Sequence, residues 1–509
     1  MSHSDGSHNA NRRFLWAICL IVLVYVVLAI FGVPQNAGGH PVHLAELAAA
    51  SGHAGEHPPY WTVLPFVILL LAVAVLPLLP WTAHWWESNL HRFYVAAALA
   101  GATMLYYLFW RAFPLAAHWP TPHLAMPSGG GPNLAIARDV VAKAIFGEYL
   151  PFILLLLSLY TIGGAIRIDV AIPATPGTNA IILAIGGVLA SFVGTTGAAM
   201  LLIRPLLESN RQRKHVAHSV VFFIFIVCNC GGCLLPTGDP PLFLGYLLKV
   251  NFLWTLTLWP EWAFVNISLL AIYFLLDSLW YYRREPAEAV ARDQTRVHRL
   301  RFAGLWPNAF LLAATIISVA LFDPGKPFPG TAWHPWLLLR EVVLLSLIAF
   351  SLLGHHGLRQ ANQFNYHAIV EVAVLFFGIF ICMQPALEML EIQGPRLGLQ
   401  TPWQFFWCTG GLSAVLDNAP TYVVFFETAK SLGGGTVATA GVAPTLLAAI
   451  SFGAVFMGAM TYIGNGPNFM VRAIAQQSGV RMPGFFGYMI YSGLILLPLL
   501  LAAELLFIR

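Results

Sequence analysis

Apolar runs of about twenty residues recur along the whole chain, separated by short polar links. A run of that length spans the hydrocarbon core of a bilayer as one helix. Lys and Arg in the links set the orientation. Arg12 and Arg13 precede the first run, 14–31, and place the N-terminus in the cytoplasm, whereas the loop 34–61 has no Lys or Arg and lies outside. Helices near 62–80 and 92–113 follow around an inside turn with Arg92. The segment 114–147 is outside, with an amphipathic piece near 133–146, and a helix near 148–166 returns to Arg167. The apolar stretch 178–207 has inside markers at both ends, Arg167 before it and Arg211, Arg213 and Lys214 after it, so it reads as a re-entrant hairpin with its tip at Gly194–Gly197. A run at 217–248 crosses outward. Helix 262–281 then returns to the loop with Arg283, Arg284, Arg292, Arg296, Arg299 and Arg301.

The second half repeats this order upside down. Helices near 303–321 and 335–353 lead to an inside loop with His355, His356 and Arg359; helix 367–388 follows, then a hairpin at 402–429 entering from outside. A run at 443–476 crosses inward to Arg472 and Arg481, and helix 484–507 puts the C-terminus outside. The pattern predicts an all-α polytopic membrane protein with an inverted repeat, about 11 transmembrane helices, two re-entrant hairpins and two broken helices. The predicted organisation is 1–147 as N-terminal scaffold helices and outer loops and 148–282 as the first repeat. A cytoplasmic linker with scaffold helices follows at 283–366, and the second repeat occupies 367–509.

The two broken helices carry the clearest repeat. GCLLPTGDPPLF (232–243) and GAMTYIGNGPNF (458–469) align Gly232 with Gly458, Gly238 with Gly464, Pro241 with Pro467 and Phe243 with Phe469, at one offset of 226 residues (464 − 238). Gly and Pro inside such runs break the helix and free backbone groups that protein, water or an ion must satisfy. Paired breaks in corresponding halves point to the binding site of a secondary transporter. Glu148 and Thr195 are 47 residues apart (195 − 148), as are Glu371 and Asn418 (418 − 371). Glu148 and Glu371 are thereby auxiliary candidate carboxylates; the plainer reading leaves both at helix ends near headgroups.

Composition narrows the function. The chain has 509 residues, 58% hydrophobic and 9% charged, and its mean hydropathy is +0.73. Soluble proteins carry about 25% charged residues. No polar block is large enough for a soluble domain and no nucleotide motif occurs, so ATP-driven transport, nucleic-acid binding and enzyme chemistry are not expected, and no cofactor is called for. The run 14–31 reads as a retained helix rather than a signal peptide. The six cysteines fall in apolar segments; Cys228, Cys230 and Cys233 read as small apolar filler rather than a zinc or redox site.

Hairpin tips and helix breaks are expected to meet near the bilayer midplane. The tips contribute Thr195, Thr196 and Asn418, flanked by Gly194, Gly197 and Pro420; the breaks contribute Asn229, Thr237, Asp239, Thr461, Asn465 and Asn468. Such oxygens suit a hard monovalent or divalent cation and lack the softness that copper or zinc needs. Asp239 and Asp417 are the carboxylates of this set, and a carboxylate in the membrane core is a functional candidate by default. Each has a plainer role as a helix cap, Asp239 before Pro240 and Asp417 before the next arm. Arg204 either snorkels to the surface or holds a substrate anion. His40, His43, His53, His57, His118 and His123 read as solvated outer-loop residues, and Asp277 and Glu504 as headgroup-facing residues near helix ends.

The runs NCGGCLLPTGDPPLFLGYL (229–247), LDNAPTY (416–422) and YIGNGPNFMV (462–471) resemble those of the NhaD-type sodium/proton antiporters, within the ion-transporter superfamily of citrate, dicarboxylate and arsenite carriers. The resemblance covers nearly the whole chain. It implies a homodimer in an inner membrane, a fixed scaffold, a mobile transport part moving like an elevator, and sodium and protons as partners. Carried over by position, the ion residues are Thr195, Thr196, Asn229, Thr237, Asp239, Asp417, Asn418, Thr461 and Asn465. The Ser-Asn-Thr tip signature of sodium/dicarboxylate carriers is replaced by Gly-Thr-Thr-Gly and Asp-Asn-Ala-Pro. The expected function is sodium/proton exchange, with a sodium- or proton-coupled carrier of a small anion as the alternative.

Overall fold

The computed structural model describes residues 2–36, 56–117, 123–288, 291, 299–354, 356–362 and 364–508. His40, His43, His53, His118, Arg292, Arg296 and His355 lie outside the described residues. Among the described residues the architecture is helical, with two short two-stranded antiparallel ribbons, Leu115–Ala117 with His123–Ala125 and Arg167–Ala171 with Arg299–Ala303. Among the described residues six helices are long and apolar enough to cross a membrane. They become seven if the bent pair His367–Cys382 and Gln384–Leu397, inclined at 45°, is one span. Tyr60–Val75, Ala217–Cys233, Leu305–Leu321 and Pro444–Met460 are shorter apolar helices. Pro176–Val193, one of the six, is a hairpin arm, so length alone does not separate a span from an arm.

Two compact units interleave along the chain: Met1–Ala165 with Trp306–Ile392, and Ile166–Leu305 with Gln393–Arg509. The first contains the helices Leu64–Val75, Asn89–Leu105, Leu150–Gly163, Leu339–Leu353 and His367–Cys382, and Leu134–Ala142 where the amphipathic piece was expected. Phe152 stacks on Phe376 with ring centroids 4.7 Å apart. Three charged or polar pairs hold this unit together inside: Arg92 with Glu371 at 2.9 Å, Gln384 Nε2 donating to Glu148 at 2.8 Å, and Arg111 with Glu388 at 2.6 Å. Charges inside an apolar body persist where such partners exist.

The second unit holds both hairpins and both broken helices. The first hairpin joins α1 (Pro176–Val193) to α2 (Thr195–Ser209) through Gly194, whose φ of +82° favours glycine. Thr175 caps α1 by accepting from the Thr178 amide, with Pro176 in the first turn. Asn179 and Asn210 exchange side-chain amide bonds at 2.9 and 2.8 Å, which ties the open ends of the arms together. The first broken helix is α3 (Ala217–Ile226), a 3₁₀ turn at Cys230–Cys233 and α4 (Pro240–Leu247). Next comes α5 (Trp259–Leu276). The second hairpin joins α6 (Pro402–Ser413), opened by a Thr401–Gln404 capping box, to α7 (Asn418–Leu432). The second broken helix is α8 (Pro444–Met457), a 3₁₀ turn at Gly458–Met460 and α9 (Gly466–Gln477).

Asp277 and Glu504 are both fully buried, which corrects their reading as headgroup-facing residues. The reason at Asp277 is a network that sequence spacing does not reveal. Arg213, just beyond α2, places both terminal nitrogens on the Asp277 carboxylate, and His218 Nε2 lies 3.0 Å from Oδ1. Glu285 accepts from the Lys214 and His215 amides at 2.7 and 2.9 Å. Removing one partner of a buried pair strands the other charge, at a cost of about 3–5 kcal/mol. Asp277→Ala is therefore expected to lower the thermal midpoint of detergent-purified protein markedly, whereas Asp169→Ala, in the partly exposed Arg167 pair, barely shifts it. Equal midpoints for the two variants would remove Asp277 as an anchor of the hairpin base.

Candidate functional site

Each break in the second unit is held open by glycine. A Cβ on Gly238 would lie 2.2 Å from the Gly232 carbonyl oxygen and 3.0 Å from Ser191 Cα; one on Gly464 would lie 2.6 Å from the Gly458 oxygen and 2.7 Å from the Ser413 oxygen. Each break thus presses its backbone onto the end of its own hairpin's first arm. The threonines repeat the theme: Thr237 donates to the Ser191 carbonyl at 3.4 Å, and Thr461 to the Ala414 carbonyl at 2.6 Å. The first tip also donates through the Thr195 amide to the Gly238 carbonyl at 2.8 Å.

Three asparagines brace the two breaks against each other. Asn229 Nδ2 donates to the Ile224 carbonyl and to Asn468 Oδ1, both at 2.8 Å. Asn468 Nδ2 donates to the Gly458 and Thr461 carbonyls at 2.9 and 3.0 Å. Asn465 Nδ2 reaches the Cys228 carbonyl at 3.0 Å and Asn229 Oδ1 at 3.2 Å. Freed helix carbonyls are satisfied by side-chain amides, as an apolar surround requires.

Asp239 sits at the centre, 1% exposed. Its Oδ1 accepts from Thr195 Oγ1 at 2.9 Å and from Asn465 Nδ2 at 3.2 Å, and its Oδ2 accepts from Asn418 Nδ2 at 2.7 Å. The carboxylate thus gathers both hairpin tips and the opposite break. Its side chain caps no helix, although Asp239 occupies the cap position of α4. The equivalent cap of α9 is Asn465, one repeat offset away (465 − 239 = 226). Thr195, Asn418, Pro240 and Gly466 are the first residues of α2, α7, α4 and α9, so four helix N-termini with their positive dipole ends converge on one carboxylate. Asn418 Oδ1 is buried without a hydrogen-bond partner. It is an acceptor oxygen beside Asp239 that a cation or a hydroxyl would satisfy.

The other candidates sort by position. Asp417 accepts from the Ala419 amide at 3.1 Å and is the cap of α7, the plainer role considered for it. Thr196 makes no bond to Asp239 and is partly accessible. Glu148 and Glu371 belong to the other unit, where Gln384 and Arg92 engage them. Cys228, Cys230 and Cys233 are buried free thiols, and no group of three or more His, Cys, Asp or Glu suited to a metal occurs among the described residues. Ser191, Trp262 and Asn266 were not foreseen. Ser191 Oγ and Trp262 Nε1 both donate to the Gly231 carbonyl, at 2.5 and 3.0 Å, and Asn266 donates to the Cys230 carbonyl at 3.2 Å. The signal for Ser191 was present, since it lies one turn before the Gly194 tip.

A family model, CitMHS_2, described as "Putative citrate transport", matches residues 55–508 and so takes in both hairpins, both breaks and every residue around Asp239. The chain belongs to the CitMHS_2 family. That membership agrees with the resemblance to the citrate and arsenite carrier superfamily and makes the chain a transporter of the multi-pass membrane type; it does not single out the NhaD branch. Comparison with curated proteins finds no match. Within the CitMHS_2 frame, the Asp239 cluster is the place where all four repeated elements meet.

Proposed function

We propose that the chain is a secondary transporter of an inner membrane, driven by exchange of sodium and protons at Asp239. The observation that carries this is the environment of that carboxylate. It is buried, it receives three neutral donors, and no basic side chain is bonded to it among the described residues. Neutral donors orient a carboxylate but leave its net charge in place, and an uncompensated charge inside the membrane is costly. A mobile cation cancels it: a proton in one state, sodium in the other. Asn418 Oδ1 supplies a further ligand oxygen, with Asp417 beside it as a second negative charge. Alternating access then follows if the unit bearing Asp239 moves within a homodimeric assembly, in the elevator manner of the proteins it resembles.

A second reading is supported by two specific observations. The four convergent helix N-termini favour an anion, and the family description names citrate transport. In that reading the cation on Asp239 accompanies a small carboxylate.

Sealed proteoliposomes separate the two. An imposed sodium gradient should move protons with no organic solute present; a strict requirement for added citrate would replace exchange with coupled carriage. The pH dependence should be competitive. In the competitive range, each unit fall in pH weakens apparent sodium affinity about tenfold per exchanged proton, or about 1.4 kcal/mol. The maximal rate at saturating sodium changes much less. A sodium affinity constant from pH 5.5 to 9 would exclude a shared site.

A further inference from the structure

The return arms of the two hairpins occupy equivalent places in the repeat, yet they differ in accessibility. In α2 almost every side chain is buried except one row, Thr196, Met200, Arg204 and Glu208. These residues are four apart, so they form a single line along one face of the helix. The equivalent row of α7, at the tip offset of 223 residues (418 − 195), begins Ala419, Val423 and Glu427. These are 0%, 2% and 7% exposed. The fourth position, Ser431, is partly accessible, so the two rows differ over their first three residues, from the tip inward: partly accessible in α2 and buried in α7.

The open line begins beside the site. Thr196 follows Thr195, whose hydroxyl is on Asp239. Gly466, next to Asn465 at the head of α9, is exposed, and a Cβ built there meets nothing within 4 Å. From Thr195 to Glu208 the helix rises roughly 20 Å at 1.5 Å per residue, a large part of the ~30 Å hydrocarbon thickness. A row facing lipid would be apolar; this one carries a hydroxyl and two charges. The lipid-type alternative is visible on α1, where the exposed residues are Ile181, Ile185, Val188 and Phe192.

We infer that the Thr196–Met200–Arg204–Glu208 row is the water-filled approach to Asp239 on the side of the membrane where α2 ends, and that the Ala419–Val423–Glu427 row of α7 is the matching approach from the opposite side, closed in this conformation. The inference rests on the transport reading for its purpose and leaves the identity of the cargo open. The inverted repeat supplies the logic. Two structurally equivalent arms of opposite orientation that exchange their exposure give access first from one side and then from the other.

The test is thiol labelling, which needs no transport activity and so fails separately from the proposed function. Single cysteines are placed at Thr196, Met200, Glu208, Ala419 and Val423 in a chain whose Cys19 and Cys408 are replaced by Ser. Ile203→Cys on the buried face of α2 and Ile181→Cys on α1 serve as references. A membrane-impermeant thiosulfonate is added to vesicles of known orientation. Thr196→Cys, Met200→Cys and Glu208→Cys should each react at least tenfold faster than both references. They should do so only from the side on which Arg211 and Lys214 lie. Ala419→Cys and Val423→Cys should react only from the other side, and more slowly than the α2 cysteines. If Thr196→Cys and Met200→Cys react no faster than Ile181→Cys, or if the α2 and α7 rows label from the same side, the approach is not there and the inference is wrong.

Discussion

Asp239→Asn should yield a folded, monodisperse protein with less than about 1% of wild-type ion-coupled flux. The amide keeps the volume of the carboxylate; its oxygen accepts from Asn418 Nδ2 and its N–H donates to a reversed Thr195 hydroxyl, so the contacts at 2.7 and 2.9 Å survive while the weaker one from Asn465 at 3.2 Å is given up. What it loses is the charge. With no carboxylate there is nothing for proton and sodium to contest, and a loss of two orders of magnitude corresponds to about 2.7 kcal/mol of missing stabilisation. Flux in proteoliposomes and melting in detergent, measured on the same preparation, separate the effect from unfolding. Wild-type flux in this variant would displace Asp239 from the mechanism. Asp417→Asn is expected to be milder, because its observed work is a cap on the Ala419 amide, which an asparagine oxygen also performs.

Gly238→Ala should be among the most damaging single-methyl changes in the chain. The added carbon would stand 2.2 Å from the Gly232 carbonyl oxygen, and that neighbour is backbone, so no side-chain rotation relieves the clash. Separating Gly232 from Gly238 would widen the turn that places Asp239, and would pull Gly238 from the Thr195 amide that it holds at 2.8 Å. Overpacking a tight core costs about 1–3 kcal/mol and more where backbone must shift. A sharply lower melting temperature is expected, with loss of flux even in the folded fraction. Gly411→Ala, where the new carbon meets nothing within 4 Å, is the internal control and should match wild type. Equal behaviour of the two alanines would show that the break is not built on that contact.

Much of this arrangement could be read along the chain because glycine and proline mark it. The breaks at Gly238 and Gly464, where a Cβ would meet backbone, and the tip at Gly194, with its φ of +82°, all fall on glycines, and the 226-residue offset matches Asp239 to Asn465 in the sequence itself. The repeat leads to the expectation that tips and breaks meet; that Thr195, Asn418 and Asn465 all bond to Asp239 is seen only in the fold. Three matters were not legible. The two units take their helices from both halves of the chain, and this depends on packing between segments over two hundred residues apart, as in the Phe152–Phe376 stack. Asp277 near a helix end gives the same local pattern whether it faces headgroups or Arg213, since its partner lies 64 residues away. Thr195 and Thr196 are neighbours of one residue type; only the helical turn at the tip puts the first on Asp239 and the second on the accessible row.

The pair Asp239 and Asn465 has one more consequence. They occupy the same place in the two repeated segments, and their side chains touch at 3.2 Å. Two carboxylates at that separation could not both ionise; they would share one proton and titrate as a coupled pair. An amide on one side removes that coupling and leaves a single charge that belongs to one half alone. The frame around the charge is close to symmetric, but the charge is not. In the exchange mechanism proposed above, forms open to opposite sides would therefore differ in energy before any solute binds, because only one repeat carries the acid.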